Sequence, residues 1–320
     1  KHLFIPILMS LAACGLLISA FAINIYMLWI GTILTGLFSV AAQVLIPLSA
    51  AISAPEKSGA IVGFLMSGLL VGILLSTSLA GLLSNFFGWH AIYLLSAIIL
   101  LLIAGLLKVR LPVLSSLNIS YKAMFNSMAI LIQQEKRLVL RALIGAFSFG
   151  SMSTLFATLA LLLAQPPFNL SDFQIGALGL TGLIGAFFAQ YAGKLADRGH
   201  GTQLTFIGAF LLCSSWGILY FSQWYLIAFL LGFTIINLGL AMQHTTNLNI
   251  IYKLRDDAKA RINSIYMTLY FIGAASGSAL GTWAWNTNGW MMTCAIGLLL
   301  ATISCVFVII DHFKFKASGG

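Results

Sequence analysis

The sequence predicts an all-α integral membrane protein, and three observations carry that prediction. Only 7% of its 320 residues are charged and 60% are hydrophobic, with a mean hydropathy of +1.03. A soluble domain wets its surface with about 25% charged residues, so a soluble enzyme, a nucleic-acid binder and a disordered tail are excluded. The apolar residues come in continuous runs of the ~20 residues needed to cross a bilayer core. Finally, Lys and Arg are confined to alternate turns between those runs.

Cutting the chain at its charges and turn signals gives ten spans, at roughly 3–22, 26–52, 59–85, 89–110, 138–164, 172–193, 203–221, 225–251, 262–285 and 289–310. No segment alternates apolar and polar residues as barrel strands do. Runs such as Leu94–Leu107 must therefore be helical, because the backbone has to satisfy its own hydrogen bonds in lipid. The first four spans are separated from the last six by the longest loop, 111–137. The chain is thus divided into an N-terminal bundle at 1–110, an inter-bundle loop at 111–137, a C-terminal bundle at 138–313 and a tail at 314–320.

The turns fall into two sets. The set at 53–58, 111–137, 194–202 and 252–261, with both chain ends and residues one turn inside a span, holds all 16 Lys and Arg. The turns at 23–25, 86–88, 165–171, 222–224 and 286–288 hold none. That asymmetry places both termini and the basic loops in the cytoplasm. The net charge of +9 is accordingly a topology signal, with no nucleic-acid partner implied. Asp172, after Ser171, suits a helix N-terminus. Cys14, Cys213, Cys294 and Cys305 sit singly in spans without metal or redox spacing. No HExxH, phosphate loop or paired catalytic acids occur, so neither an enzyme, a metal site nor a cofactor is expected.

An internal repeat runs at an offset of 201 residues. Gly88-Trp89 opens the fourth span and Gly289-Trp290 the tenth; Gly72 meets Gly273, and Glu56 meets Asp257. Gly/Ser-rich stretches at Gly63–Gly81 and Gly273–Gly281 precede these spans and tolerate close helix contact. The first four spans thus match the last four, and spans 138–164 and 172–193 have no counterpart. The repeat leads to the expectation that two N-terminal helices are absent before Lys1.

With these residues the chain resembles the major facilitator superfamily of secondary transporters. Gly193-Lys194-Leu195-Ala196-Asp197-Arg198-Gly199-His200-Gly201 is similar to that family's G-x-x-x-D-R-x-G loop. The resemblance implies a gating role for Gly193, Asp197, Arg198 and Gly199, although Thr202 and Gln203 stand where further basic residues are usual. Pro55-Glu56-Lys57-Ser58-Gly59 with Gly68, Gly72 and Gly81 is similar to the glycine-rich motif of family exporters, drug and sugar efflux members among them. The Pro of its G-P pair is replaced by Ile73. Thr32 stands where a buried, proton-linked arginine is often found.

No Asp or Glu falls in the middle of a span, so a bundle interior free of carboxylates is expected. The polar stretch Gln243-His244-Thr245-Thr246-Asn247 interrupts the eighth span. Thr234, Asn237 and His244 share a helix face, and His244 coincides with Gln43 at the repeat offset. Polar groups at equivalent depth suit a midplane site between transporter repeats. Asn263, Tyr266 and Tyr270 form a stripe on the ninth span, able to line an amphipathic pocket. Gln43, Asn237, His244, Asn263, Tyr266 and Tyr270 are the expected substrate-binding residues, with Ser148, Ser151 and Thr154 as lesser candidates. The expected function is proton-linked efflux of a small organic solute or drug by a monomer in the lipid bilayer, through alternating access. An uptake permease and a non-transporting remnant are the alternatives.

Overall fold

The computed structural model describes residues 3–41, 44, 45, 48, 65, 68, 72, 75, 76, 78–110, 121–182 and 200–315. In chain order the helices are α1 (Phe4–Ala20), α2 (Ile25–Phe38), α3 (Ser78–Phe87), α4 (His90–Arg110), α5 (Tyr121–Gln134), α6 (Lys136–Leu163), α7 (Asp172–Leu178), α8 (Gly201–Tyr220), α9 (Leu226–Tyr252) and α10 (Lys259–Phe315). No strand occurs among the described residues. Helices α4, α6, α9 and α10, and α8 with its 3-10 extension to Gln223, are long and apolar enough to cross a membrane.

The 57 residues of α10 exceed a single bilayer crossing. Its helical geometry breaks at Asn288 and Gly289, giving limbs over 259–287 and 290–315, each longer than the ~20 residues a span needs. Gly289 has φ +60° and Gly88 has φ +80°. Both Gly-Trp pairs of the sequence repeat therefore place a positive-φ glycine directly before a membrane helix, a conformation that L side chains rarely adopt. Gly289, with ψ −145°, lies in a region that only glycine enters readily. Gly289→Ala should lower stability by about 1–3 kcal/mol, read as a fall in thermal midpoint of the detergent-solubilised protein.

The chain forms two compact units: residues 1–118 with 171–180, and residues 119–170 with 181–320. In the first unit, α1 and α2 meet where a Cβ on Gly15 would lie 2.6 Å from the Thr35 backbone nitrogen. Ile5, Met9, Ala41 and Ala104 form a small core among α1, the chain after α2, and α4. Asn24 caps α2 by accepting a 2.9 Å hydrogen bond from the Met27 amide.

The segment that starts at Asp172 was expected in the second group, but 171–180 packs with the first unit. Gly81 brings α3 against the backbone of Asp172 and Gly176, where a side chain would collide. Ser84 donates a 2.6 Å hydrogen bond to the Asp172 carboxylate. The N-terminal role read for Asp172 matches the geometry, since Ser171 and Gln174 form a capping box around it. Gly68 and Gly72 have no described atom within 4 Å of an added Cβ.

In the second unit α6 packs against both limbs of α10, and most tightly by backbone approach against the first. Ala146, Gly150 and Thr154 face Gly273, Gly277 and Gly281, each set at four-residue spacing. A Cβ on Gly273 or Gly277 would run into the backbone of Ala146 or Gly150, so the two helices touch backbone to backbone. Thr154 donates to the Gly277 carbonyl at 3.0 Å across this seam. Within the loop read at 111–137, residues 121–134 form a helix. Its Met128 and Leu131 pack with Leu138, Ile262 and Ile265, and Met128–Leu131 with Met124 gives the helical spacing that announced it.

Candidate functional site

The seam fixes the spacing of α6 and α10, and on one side of it the polar stretch of α9 is brought in. His244 Nδ1 lies 3.1 Å from the Tyr266 hydroxyl. Tyr266 is buried and fits because Gly145 carries no side chain, a Cβ there falling 2.7 Å from the hydroxyl. Tyr270 stacks on Tyr266 with ring centroids 5.7 Å apart, and His244 packs on Tyr270 at 4.8 Å. Phe149 closes the cluster, stacked on Tyr270 at 4.2 Å. His244 and Phe149 remain partly exposed. Three of the expected residues, His244, Tyr266 and Tyr270, thus form one aromatic cluster with a polar rim.

The other expected residues divide. Asn263 accepts a 2.8 Å hydrogen bond from the Tyr252 hydroxyl, two turns of helix from Tyr270. Asn237 donates to the Phe233 carbonyl of its own helix at 2.7 Å, and no described contact joins it to His244. Gln43 and the loop residues Gly193, Asp197, Arg198 and Gly199 lie outside the described residues. Thr32 donates to the Leu28 carbonyl at 2.8 Å, satisfied within its own turn.

The lesser candidates are interior ties. Ser148 bonds both Gln243 and Ser304, and a Cβ on Gly208 would press on Gln243, so α6, α8, α9 and α10 meet at that layer. Ser151 receives the Trp216 indole N–H at 2.7 Å and donates to the Gly297 carbonyl at 2.8 Å. Gly297 carries no side chain because the Trp216 ring occupies that space.

Two turns further along α6 and α10 lies the group that the sequence reading missed. Arg141 on α6 and Asp311 at the end of α10 form a buried ion pair, each side chain 1% exposed. Arg141 also donates to Thr205 at 3.1 Å and to Asn247 at 3.2 Å. Arg137 approaches the second carboxylate oxygen at 3.4 Å. The expectation of a carboxylate-free interior is therefore corrected by Asp311. It stands near a span end and counts with the basic collar by sequence position, while four-helix packing encloses it. Outside the spans, Arg255 hydrogen-bonds Asp257 at 3.1 Å and holds its carboxyl below the usual carboxylate range.

A profile of the family described as Major Facilitator Superfamily matches residues 1–278. The chain belongs to the Major Facilitator Superfamily. As a member of the superfamily it is a multi-pass membrane transporter. It is 40% identical over 295 residues to the uncharacterized transporter YgaY of Escherichia coli O157:H7, a span that covers 92% of this chain and 75% of that protein. An uncharacterized transporter of Buchnera aphidicola subsp. Schizaphis graminum is 22% identical over 237 residues, covering 73% of this chain and 56% of its own. Among solved structures, the nucleoside transporter NupG matches with a TM-score of 0.71 at 15% identity, over 98% of this chain and 83% of that one. At that identity the likeness to NupG is one of fold.

Proposed function

We propose that this superfamily member exports a small, neutral organic solute from a bacterial cell in exchange for protons, as a monomer with both termini cytoplasmic. The observation that supports the reading is the cluster of His244, Tyr266, Tyr270 and Phe149, buried at Tyr266 and Tyr270 and partly buried at His244 and Phe149. Flat rings at this spacing accept a flat ring by stacking, while the imidazole and phenol offer hydrogen bonds to hydroxyls or carbonyls. The cluster carries no fixed charge, which favours a neutral solute that joins a ring to polar groups. His244 is the group within it whose type titrates nearest neutrality, and it is assigned the proton. In this reading the solute crosses by alternating access, as in transporters built from structural repeats.

Nucleosides and p-nitrophenyl glycosides both join a flat ring to hydroxyls, and serve as probes. Proteoliposomes holding the 320-residue chain are given an acid interior and offered tritiated uridine or p-nitrophenyl β-galactoside outside. Antiport predicts accumulation of at least one probe only while the gradient lasts. His244→Ala should cut that coupled flux about tenfold or more, a loss of ~1.4 kcal/mol. Tyr266→Phe should reduce it less, because stacking survives. Full gradient-driven flux in His244→Ala would remove the imidazole from the mechanism.

A further inference from the structure

A buried ion pair does not by itself stabilise a fold better than apolar packing, and its best-attested use is to set register or switch between states. The Arg141–Asp311 pair has three features that point to the second use. First, it ties together four helices that otherwise meet through small residues and neutral hydrogen bonds. Arg141 is on α6, Thr205 on α8, Asn247 on α9 and Asp311 on α10. Second, the carboxylate has two cationic neighbours. Arg141 hydrogen-bonds one oxygen, while Arg137, 28% exposed, stands 3.4 Å from the other without a hydrogen bond. The same Arg137 guanidinium also lies over the Phe315 ring, 5.3 Å from its centroid. Third, the first turn of α8 has no side-chain cap. What holds it is Thr205, which takes the Arg141 hydrogen bond and donates to the Gly201 carbonyl at 2.8 Å.

The pair also lies within a helical turn of the aromatic cluster on two helices. Asn247 follows His244 by three residues on α9, and Arg141 precedes by four the Gly145 that seats Tyr266. We infer that Arg141 and Asp311 are positioning residues of the transport cycle: the pair holds the first turn of α8 and the Asn247 turn of α9 against α6, and Asp311 passes to Arg137 when those turns move. The link from the pair to solute rests on the His244–Tyr266 reading; the exchange of partners does not.

Amide hydrogen exchange of the full chain in lipid nanodiscs tests this without any solute. Removing an exposed ion-pair partner from a static staple leaves local exchange unchanged or faster. Removing the alternative partner of a switch has the opposite sign, because the open arrangement loses its support. Arg137→Gln should therefore slow exchange at 201–205 about fivefold or more, the lower range of site-to-site coupling, and Arg137→Lys should restore it. Asp311→Asn should speed exchange at 201–205 and 244–250, with the glycine seam at 146–158 unchanged. Unchanged or faster exchange in Arg137→Gln overturns the inference, as does an Asp311→Asn effect spread evenly into the seam. Should His244→Ala leave solute transport intact, these exchange results are unaffected, so the two readings fail separately.

Discussion

Gly277→Leu yields no monodisperse protein on size-exclusion chromatography in detergent. The Cβ alone would meet the Gly150 backbone at contact distances that real side chains essentially never show, and the atoms it meets are backbone carbon and oxygen that no rotamer change can move. The remaining leucine atoms would have to enter the same seam, forcing α6 and α10 apart along the register set by Gly273, Gly277 and Gly281. Overpacking of a tight interior costs about 1–3 kcal/mol where neighbours can adjust, and here they cannot. Separating the helices also breaks the Thr154 bond to the Gly277 carbonyl and unseats Tyr266 from Gly145. Gly217→Leu is the matched control, since nothing described lies within 4 Å of its Cβ. It should express and elute like the parent.

Asp311→Leu should lower stability by about 3–5 kcal/mol, because it leaves the Arg141 guanidinium buried without its counter-ion. Thr205 and Asn247 still accept from Arg141, but neither neutralises its charge. The double variant Arg141→Met with Asp311→Leu removes both charges and should recover most of the loss. Thermal unfolding of the three proteins in one detergent measures both effects. A double variant as unstable as Asp311→Leu alone would show that the hydrogen bonds of Arg141, and not charge balance, dominate the site.

These cases also indicate which parts of the molecule are legible in its sequence. Membrane helices are written in composition, since lipid tolerates little else, and the paired Gly-Trp turns are written in an offset that any alignment of the chain with itself exposes. His244, Tyr266 and Tyr270 are each legible as candidates because their residue types stand out within apolar spans, while their meeting comes only from the packing of α9 on α10. The Arg141–Asp311 pair was not accessible in the same way. Its partners are 170 residues apart; Arg141 lies one turn inside a span end and Asp311 just beyond another, where a charge ordinarily reaches water. Only the packing of α8 and α9 over that end encloses them. Asn237 shows the reverse case, a polar residue on the expected face whose amide turns back to its own helix. A backbone carbonyl one turn away is a local partner that face-by-face reading does not anticipate.

The claim that the second unit carries the solute site is tested most directly by equilibrium binding. Tritiated uridine and p-nitrophenyl β-galactoside are titrated onto purified wild-type chain, His244→Ala, Tyr270→Ala and Tyr252→Phe. The account predicts saturable binding of at least one probe to the wild type, weakened about tenfold or more in His244→Ala and Tyr270→Ala and retained in Tyr252→Phe. Wild-type affinity in both His244→Ala and Tyr270→Ala would contradict it.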